Sequence, residues 1–396
     1  MNKKKNCICL FTSFESLNSH YHTQRNLYNY ISSQFKEFYI VNVDNLKFFS
    51  KSLNYKFSEE LRNIPKNIFL INLKNSSDFE KFVSDKNLVI INNFGKSFKD
   101  LKIHMLIKRK NILQIQFKNI GNIQMDQIVS KTNLFLTLNY LIFEKLFQKI
   151  TTFLSCLNII NKIDICFISN KLIYEKSKIS KLNKFSFIKE FLLVNSKFQD
   201  EIETEDLSNK YIVHLDYYLN YNHETILRGN LDSKKLKEHH DCVQRFLLIA
   251  QKKLKKEVVI AVHPMYPTEY FQNFYSDFKI VKYKTAELIK DADLVTFFDS
   301  SAIVNAVLLN KKIIQLSSKH MNKNSQYHST IYQKKLGLPK VEITNFYEDT
   351  FEKIYNQSTF DNDLLKSYVS NFHLLDNHEK GRNKIVKIIK EKYFSN

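Results

Sequence analysis

Three short stretches in the second half of the chain carry side chains able to handle phosphate oxygens, hydroxyls and protons. In "YIVHLDYYLNYNHET", residues 211–225, Asp216 interrupts an apolar and aromatic run. A carboxylate there is costly to bury without a partner, and in a cleft it can take a proton from a hydroxyl or act as a nucleophile. In "EVVIAVHPMYPTEY", residues 257–270, an apolar run ends on His263-Pro264, and two of the chain's four prolines fall here. Proline stops a strand's hydrogen-bond ladder and keeps the residue before it extended. The His263 imidazole is thereby held at the strand's end, where it can donate to a phosphate oxygen or a hydroxyl. In "DLVTFFDSSAIVNAVLLN", residues 293–310, a strand is expected to end at Asp299-Ser300-Ser301, and a helix of small residues starts at once. The serines can cap that helix, whose free N–H groups and positive dipole end form an anion site. Tyr266, Thr268 and Glu269 follow His263-Pro264 closely enough to touch a ligand held there. Each stretch also has a plainer reading: a turn-capping Asp, a strand terminator and a helix cap.

The elements that must position these residues recur along the chain. Short β-type runs ("CICLFTS", "EFYIVNV", "NIFLINL", "NLVIINNFG", "NILQIQFKN", "IDICFIS") are separated by segments of helical length. Strands apolar on both faces and separated by helices imply parallel βαβ units. A second series ("YIVHLDYYL", "EVVIAVHP", "FKIVKY", "DLVTFFDSS", "KKIIQLSS") follows the acidic stretch "KFQDEIETEDLSNK", a candidate linker whose Glu201, Glu203, Glu205 and Asp206 read as solvated surface. At 396 residues two domains are expected. The fold class is therefore α/β and GT-B-like, with two doubly wound Rossmann-like domains facing across a cleft. The expected division is 1–200, 208–375, and 376–396 as a helix crossing back to the first domain; the likeness to GT-B architecture implies acceptor binding by the first domain and nucleotide-sugar binding by the second. In open α/β sheets ligands bind beyond the carboxyl ends of the strands, where all three stretches lie.

Composition narrows the classes. With five glycines in all, neither GxGxxG nor GxxxxGKS is present, which argues against a dinucleotide-dependent dehydrogenase and a P-loop enzyme. The net charge of +20 favours acidic partners such as nucleotide phosphates, anionic headgroups or anionic glycans. The lysines are dispersed and no nucleic-acid module is present, so nucleic acid is not the expected partner. Five scattered cysteines, mostly within apolar runs, read as core residues of a reducing compartment, and no ligand cluster completes a metal site. The apolar run after "MNKKKN" is too short for a signal peptide. These features give a cytoplasmic expectation, extending to the inner face of the membrane. The apolar stretch 134–160 carries Glu144, Lys145, Gln148 and Lys149 near its middle, which argues against a span. As an amphipathic helix it either lies on a membrane surface or packs in the interior.

Taken in order, strand-Asp216, strand-His263-Pro264 and strand-Ser300-Ser301-Ala302-helix resemble the bacterial CMP-sugar transferases that add sialic acid or Kdo to capsules and lipopolysaccharides. The likeness is strongest to the retaining β-Kdo transferases. It spans residues 211–316, the N-terminal half matching in architecture only. The resemblance implies that His263-Pro264 and Ser300-Ser301 bind the CMP moiety; Tyr266 and Thr268, by their place in the loop after His263-Pro264, are candidate contacts to the cytidine or the sugar. It also implies that Asp216 is the catalytic acid, as base or nucleophile, with His263 steadying the donor's phosphate or carboxylate. No metal and no further cofactor are implied, because a CMP donor carries one phosphate and no DxD-type motif stands in a credible loop. One departure concerns stereochemistry: Asp216 is followed by Tyr217 and Tyr218, where many sialyltransferases carry a second acid and Gly. The expected function is transfer of an acidic ulosonic sugar from CMP to a surface glycan or lipid-linked glycan acceptor. The alternatives are a GT-B enzyme using a UDP-sugar or CDP-polyol donor, and a non-catalytic glycan- or nucleotide-binding component of capsule assembly. In the first half, Ser13, His20, His22 and Arg25 after the first strand, and Asn92, Asn93 and Lys96 after "LVIIN", are candidate acceptor contacts.

Overall fold

The computed structural model describes residues 5–12, 21, 25–47, 64–94, 100–118, 146, 149–171, 173–175, 177, 187–195, 210–216, 219, 232–263, 268–321, 323–359, 361–372 and 381–394. They fall into two compact units: unit 1 holds the described residues up to 195 and from 381 onward, and unit 2 those from 210 to 372.

Unit 1 is built on β1 (Lys5–Thr12), β2 (Phe38–Asn42), β3 (Ile68–Asn72), β4 (Lys86–Asn93), β5 (Leu113–Lys118), β6 (Ile163–Ile168) and β7 (Ile188–Leu193). These form a seven-stranded sheet in the order β3-β2-β1-β4-β5-β6-β7. Every pairing is parallel. Side chains alternate across a strand, so a sheet covered on both sides needs strands apolar at every position. In β1, Ile8 and Leu10 enter one core with Leu27, Tyr28 and Ile31 of helix α1 (Arg25–Gln34). Cys7, Cys9 and Phe11 enter the opposite core with Phe79 and Val83 of α2 (Ser76–Ser84) and Ile103 and Ile107 of α3 (Leu101–Arg109). None of the five cysteines is in a disulfide.

Unit 2 holds β8 (Tyr211–Leu215), α4 (Ser233–Leu254), β9 (Val258–Val262), α5 (Thr268–Gln272), β10 (Lys279–Lys282), α6 (Thr285–Lys290), β11 (Ala292–Phe297), α7 (Ile303–Leu308), β12 (Lys312–Ser317), α8 (Lys323–Leu336), β13 (Lys340–Glu342), α9 (Phe351–Asn356) and α10 (Asn362–Phe372). Its sheet has six strands in the order β10-β9-β8-β11-β12-β13, again all parallel. The long helix α4 starts where the Asp232 side chain accepts from Lys234 N and stops at Lys255, whose φ of 52° is left-handed. Its face of Val243, Phe246, Leu247 and Ala250 packs on Ile212, Val258, Ile260 and Val262 of the sheet. Val213, Leu215 and Ala261 point to the other side, where Ile303, Ala306 and Val307 of α7 meet them.

The chain returns to unit 1 in α11 (Gly381–Tyr393), whose Ile385, Val386 and Ile389 join the core over β1 and α1. Lys384 Nζ donates to Leu193 O at 3.0 Å, and Lys392 pairs with Glu190. The helix enters so closely that a Cβ on Gly381 would lie 2.5 Å from Asn195 O.

The α/β, doubly wound, GT-B-like class expected from the sequence is the one found. Two strands escaped the pattern. β7 sits at the sheet's edge with only Ile188 buried, and β13 is three residues long, so neither gives a continuous apolar run.

Candidate functional site

The order of the second sheet reverses between β8 and β11, since β9 and β10 lie on one side of β8 and β11 to β13 on the other. Such switch points leave a crevice at the strands' carboxyl ends, where ligands of open α/β sheets bind. Asp216 directly follows β8, His263 directly follows the neighbouring β9, and Asp299-Ser300-Ser301 comes just after β11. The fold thus gathers three of the sequence candidates at one end of three adjacent strands.

Asp216 is the most constrained. The sequence reading sets its carboxylate in a cleft as base or nucleophile, whereas the structure encloses the side chain completely, at 0% exposure. Oδ1 faces two donors, His214 Nε2 at 3.3 Å and Tyr275 Oη at 3.2 Å. His214 Nδ1 lies 2.9 Å from Thr296 Oγ1, which binds β8 to β11 across the switch point. Tyr275 Oη is in turn 2.8 Å from His240 Nδ1, and His240 Nε2 is 3.1 Å from Tyr270 Oη.

The protons of this chain can be assigned from its chemistry. Burial, the nearby Asp216 charge and their hydrogen bond keep the Tyr275 phenol protonated, and its one hydrogen goes to Asp216. Its oxygen must then accept from His240, so His240 carries its proton on Nδ1 and accepts from Tyr270 at Nε2. Burial lowers the pKa of His240 to about 4 and, with the His240 charge, that of His239 to about 3, so both rings are neutral at pH 7. For Asp216 burial is the largest influence and raises the pKa. The hydrogen bond from His214 and the positive charge of that ring when protonated outweigh it, leaving the carboxyl below its ordinary value.

The network is also incomplete. Oδ2 of Asp216 and both ring nitrogens of His239 are buried without a hydrogen-bond partner, although His239 packs against His240 and Phe298 at ring separations of 5.3 and 5.1 Å. Buried polar atoms are normally paired, and clusters of exceptions mark places held for more than stability.

His263 is reached by solvent at the end of β9. Surrounding protein density and the charge of Lys282 lower its pKa to about 4. Solvent access moderates that shift without reversing it, so at pH 7 the ring is neutral, with one nitrogen protonated and the other not. Pro264 and Tyr266 lie outside the described residues. Thr268 opens α5 half-buried, and Glu269 beside it is exposed.

The serine stretch departs from the sequence expectation in one respect. Ser300 Oγ accepts from Ala302 N at 3.3 Å and acts as a local cap. The N–H groups of Ile303, Val304 and Asn305, expected to be free for an anion, are already bonded to the carbonyls of Ser300, Ser301 and Ala302. A tight first turn consumes them, and α7 is only six residues long. The Ser301 side chain, which is exposed, remains available to a ligand.

In unit 1, Asn92 is spoken for: its amide donates to Gln114 Oε1 at 3.0 Å, and its oxygen accepts from Phe94 N at 3.2 Å. Asn93 is exposed at the end of β4, and Arg25 stands half-buried at the start of α1. Ser13, His20, His22 and Lys96 lie outside the described residues, as do Glu201, Glu203, Glu205 and Asp206. Among the described residues no group of three or more His, Cys, Asp or Glu side chains is arranged to hold a metal ion.

Sequence reasoning missed His214, His239, His240, Tyr270, Tyr275 and Thr296. A signal existed for His214, which is two residues before Asp216 in a strand and must share its face. For the others the pairing is tertiary.

No family model matches the chain, and no curated protein does. Among solved structures it is similar to a variant of the wall teichoic acid polymerase TagF, at 13% identity over 99% of this chain and 90% of that one, with a TM-score of 0.55. A variant of the same polymerase soaked with CDPG gives 13% identity over 98% and 89% of the two chains and a TM-score of 0.51. Os79 from O. sativa, in a complex with trichothecene, gives 9% identity, 97% and 100% coverage and a TM-score of 0.51. At these identities what is shared is the fold, a pair of parallel-sheet α/β units along nearly the whole chain.

Proposed function

We propose that this protein is a glycosyltransferase that moves an acidic ulosonic sugar, of the Kdo or sialic acid kind, from a CMP donor to a glycan or lipid-linked glycan acceptor. One observation carries the reading: Asp216, His263 and Ser300-Ser301 converge at the carboxyl ends of β8, β9 and β11, at the switch point of the second sheet. Unit 2 would then bind the donor and unit 1 the acceptor.

In this reading neutral His263 donates its N–H to the donor's phosphate or carboxylate, and the exposed hydroxyl of Ser301 supplies a second donor. Pro264, Tyr266 and Thr268 complete the nucleotide contacts. Asp216, enclosed as it is, acts as a positioning residue: it orders His214 and Tyr275 at the floor of the crevice. A nucleophilic role would require its free Oδ2 to become accessible. No metal or further cofactor is invoked, since a CMP donor leaves a single phosphate to be neutralised.

The test is incubation with CMP-Kdo and CMP-sialic acids, reading CMP release and intact mass. Release dependent on His263 supports the reading, and a mass increase on Asp216 would restore it as nucleophile. Binding of CMP without turnover of any CMP-ulosonic acid would favour a non-catalytic component of capsule assembly. A second reading, a CDP-polyol or UDP-sugar donor on the same fold, draws support from the polymerase structure obtained after a CDPG soak. Calorimetric titration with CMP, CDP and UDP separates the two, and tightest binding of UDP or CDP would displace the CMP assignment.

A further inference from the structure

Residues 146 and 149–156 of unit 1 are helical, and this helix is turned the wrong way round for water. Its Thr151 and Ser155 are buried, at 2% and 3% exposure, while Leu146, Ile150, Phe153 and Leu157 are exposed, the last two at 55% each. The spacing of 4, 3 and 4 puts the four on one face. Half of the large exposed apolar side chains among the described residues fall between 146 and 159, so this is a patch, unlike scattered surface leucines.

Its surroundings are basic. The helix ends at Asn158, left-handed with φ of 58°, whose side chain accepts from Lys108 Nζ at 2.9 Å. That bond sets the end of α3 beside the patch, with Arg109 and Lys110 exposed at its rim and Met105 also exposed. Glu80 engages Arg109 at 3.2 Å and Lys110 at 3.8 Å, yet the Arg109 side chain stays 71% exposed. Lys149 is exposed on the helix itself, and residues 101–118 and 146–162 contain no Asp or Glu.

We propose that the face formed by Leu146, Ile150, Phe153 and Leu157 docks on an anionic phospholipid bilayer, the apolar side chains entering the acyl boundary and the rim of Lys149, Arg109 and Lys110 meeting the headgroups. Apolar burial and headgroup attraction act together in such interfacial helices. No described helix is long and apolar enough to cross a membrane, so the mode is lying on the surface. This inference does not depend on the donor assigned to unit 2.

The test is flotation of the full chain with vesicles of equimolar phosphatidylglycerol and phosphatidylcholine, against pure phosphatidylcholine. Binding is expected on the anionic vesicles alone, weakening between about 0.1 and about 0.5 M salt as screening shortens the reach of the rim charges. The double substitution Phe153→Ser with Leu157→Ser should cut partitioning at least about tenfold while leaving circular dichroism and Tm unchanged, because both side chains are exposed. No flotation, equal flotation on neutral vesicles, or unchanged flotation of the variant would overturn the proposal. So would a wild-type dimer that the same substitutions disperse, which would assign the face to a second copy of the chain.

Discussion

His214 and Thr296 are paired in register across β8 and β11, the two strands between which the sheet of unit 2 reverses its order, and their side chains meet at 2.9 Å. Through His214 that contact reaches Asp216, and through Tyr275 and His240 it reaches helix α4. The floor of the crevice is therefore one hydrogen-bonded unit spanning two strands and the helix above them. Its integrity can be tested apart from any activity.

Tyr275→Phe deletes a donor to the enclosed Asp216 carboxylate and the acceptor of the His240 Nδ1 hydrogen, leaving a charge and a polar hydrogen under-satisfied. A loss of about 1–3 kcal/mol is expected in urea unfolding. In a double-mutant cycle with Asp216→Asn the two effects should be non-additive, because one bond is shared. Additive losses would mean that the bond contributes nothing.

Acid should weaken the fold earlier than carboxylates alone would allow. In the folded protein His239 and His240 hold off protonation to about 3 and about 4, against the ordinary 6.5. Below about 6.5 the unfolded chain takes up protons that the folded chain refuses, so stability is complete above that value and falls as pH drops toward about 4. The slope is up to about 1.4 kcal/mol per pH unit for each histidine. Asp216, also held below its ordinary value, adds a loss in the same direction at lower pH. Urea midpoints at stepped pH should show this decline, and His239→Phe should flatten it and raise stability at neutral pH by removing two orphaned nitrogens.

His263→Ala should abolish sugar transfer without changing Tm, since the ring is solvent-reached at a strand end and outside the buried cores. Parallel measurement of CMP release and thermal unfolding checks both halves. Full activity in this variant would remove His263 from the site.

Gly381→Ala should loosen the return of the chain into unit 1. The added Cβ would lie 2.5 Å from Asn195 O, a backbone atom that can yield only by moving the helix. Overpacking of this kind costs about 1–3 kcal/mol, seen as a lower urea midpoint. No change would mean that α11 shifts freely over its core.

The local pattern of residues determined much by itself. Strands such as Cys7-Ile8-Cys9-Leu10-Phe11, apolar at every position, can only belong to a sheet covered on both faces, and the terminators after β8, β9 and β11 are written in Asp216, His263-Pro264 and Ser300-Ser301. Covalent spacing and side-chain type suffice for such statements. The tertiary structure alone decided that Asp216 is enclosed, because its donor Tyr275, and His240 and Tyr270 that continue the network from it, come from elements far along the chain. It alone also decided that the amides following Ser300 bond to carbonyls within their own turn, and that Phe153 and Leu157 face outward while Thr151 faces in. Which face of an amphipathic helix is buried, and which donor reaches a buried acceptor, depend on packing between distant segments, and no spacing within one segment encodes that.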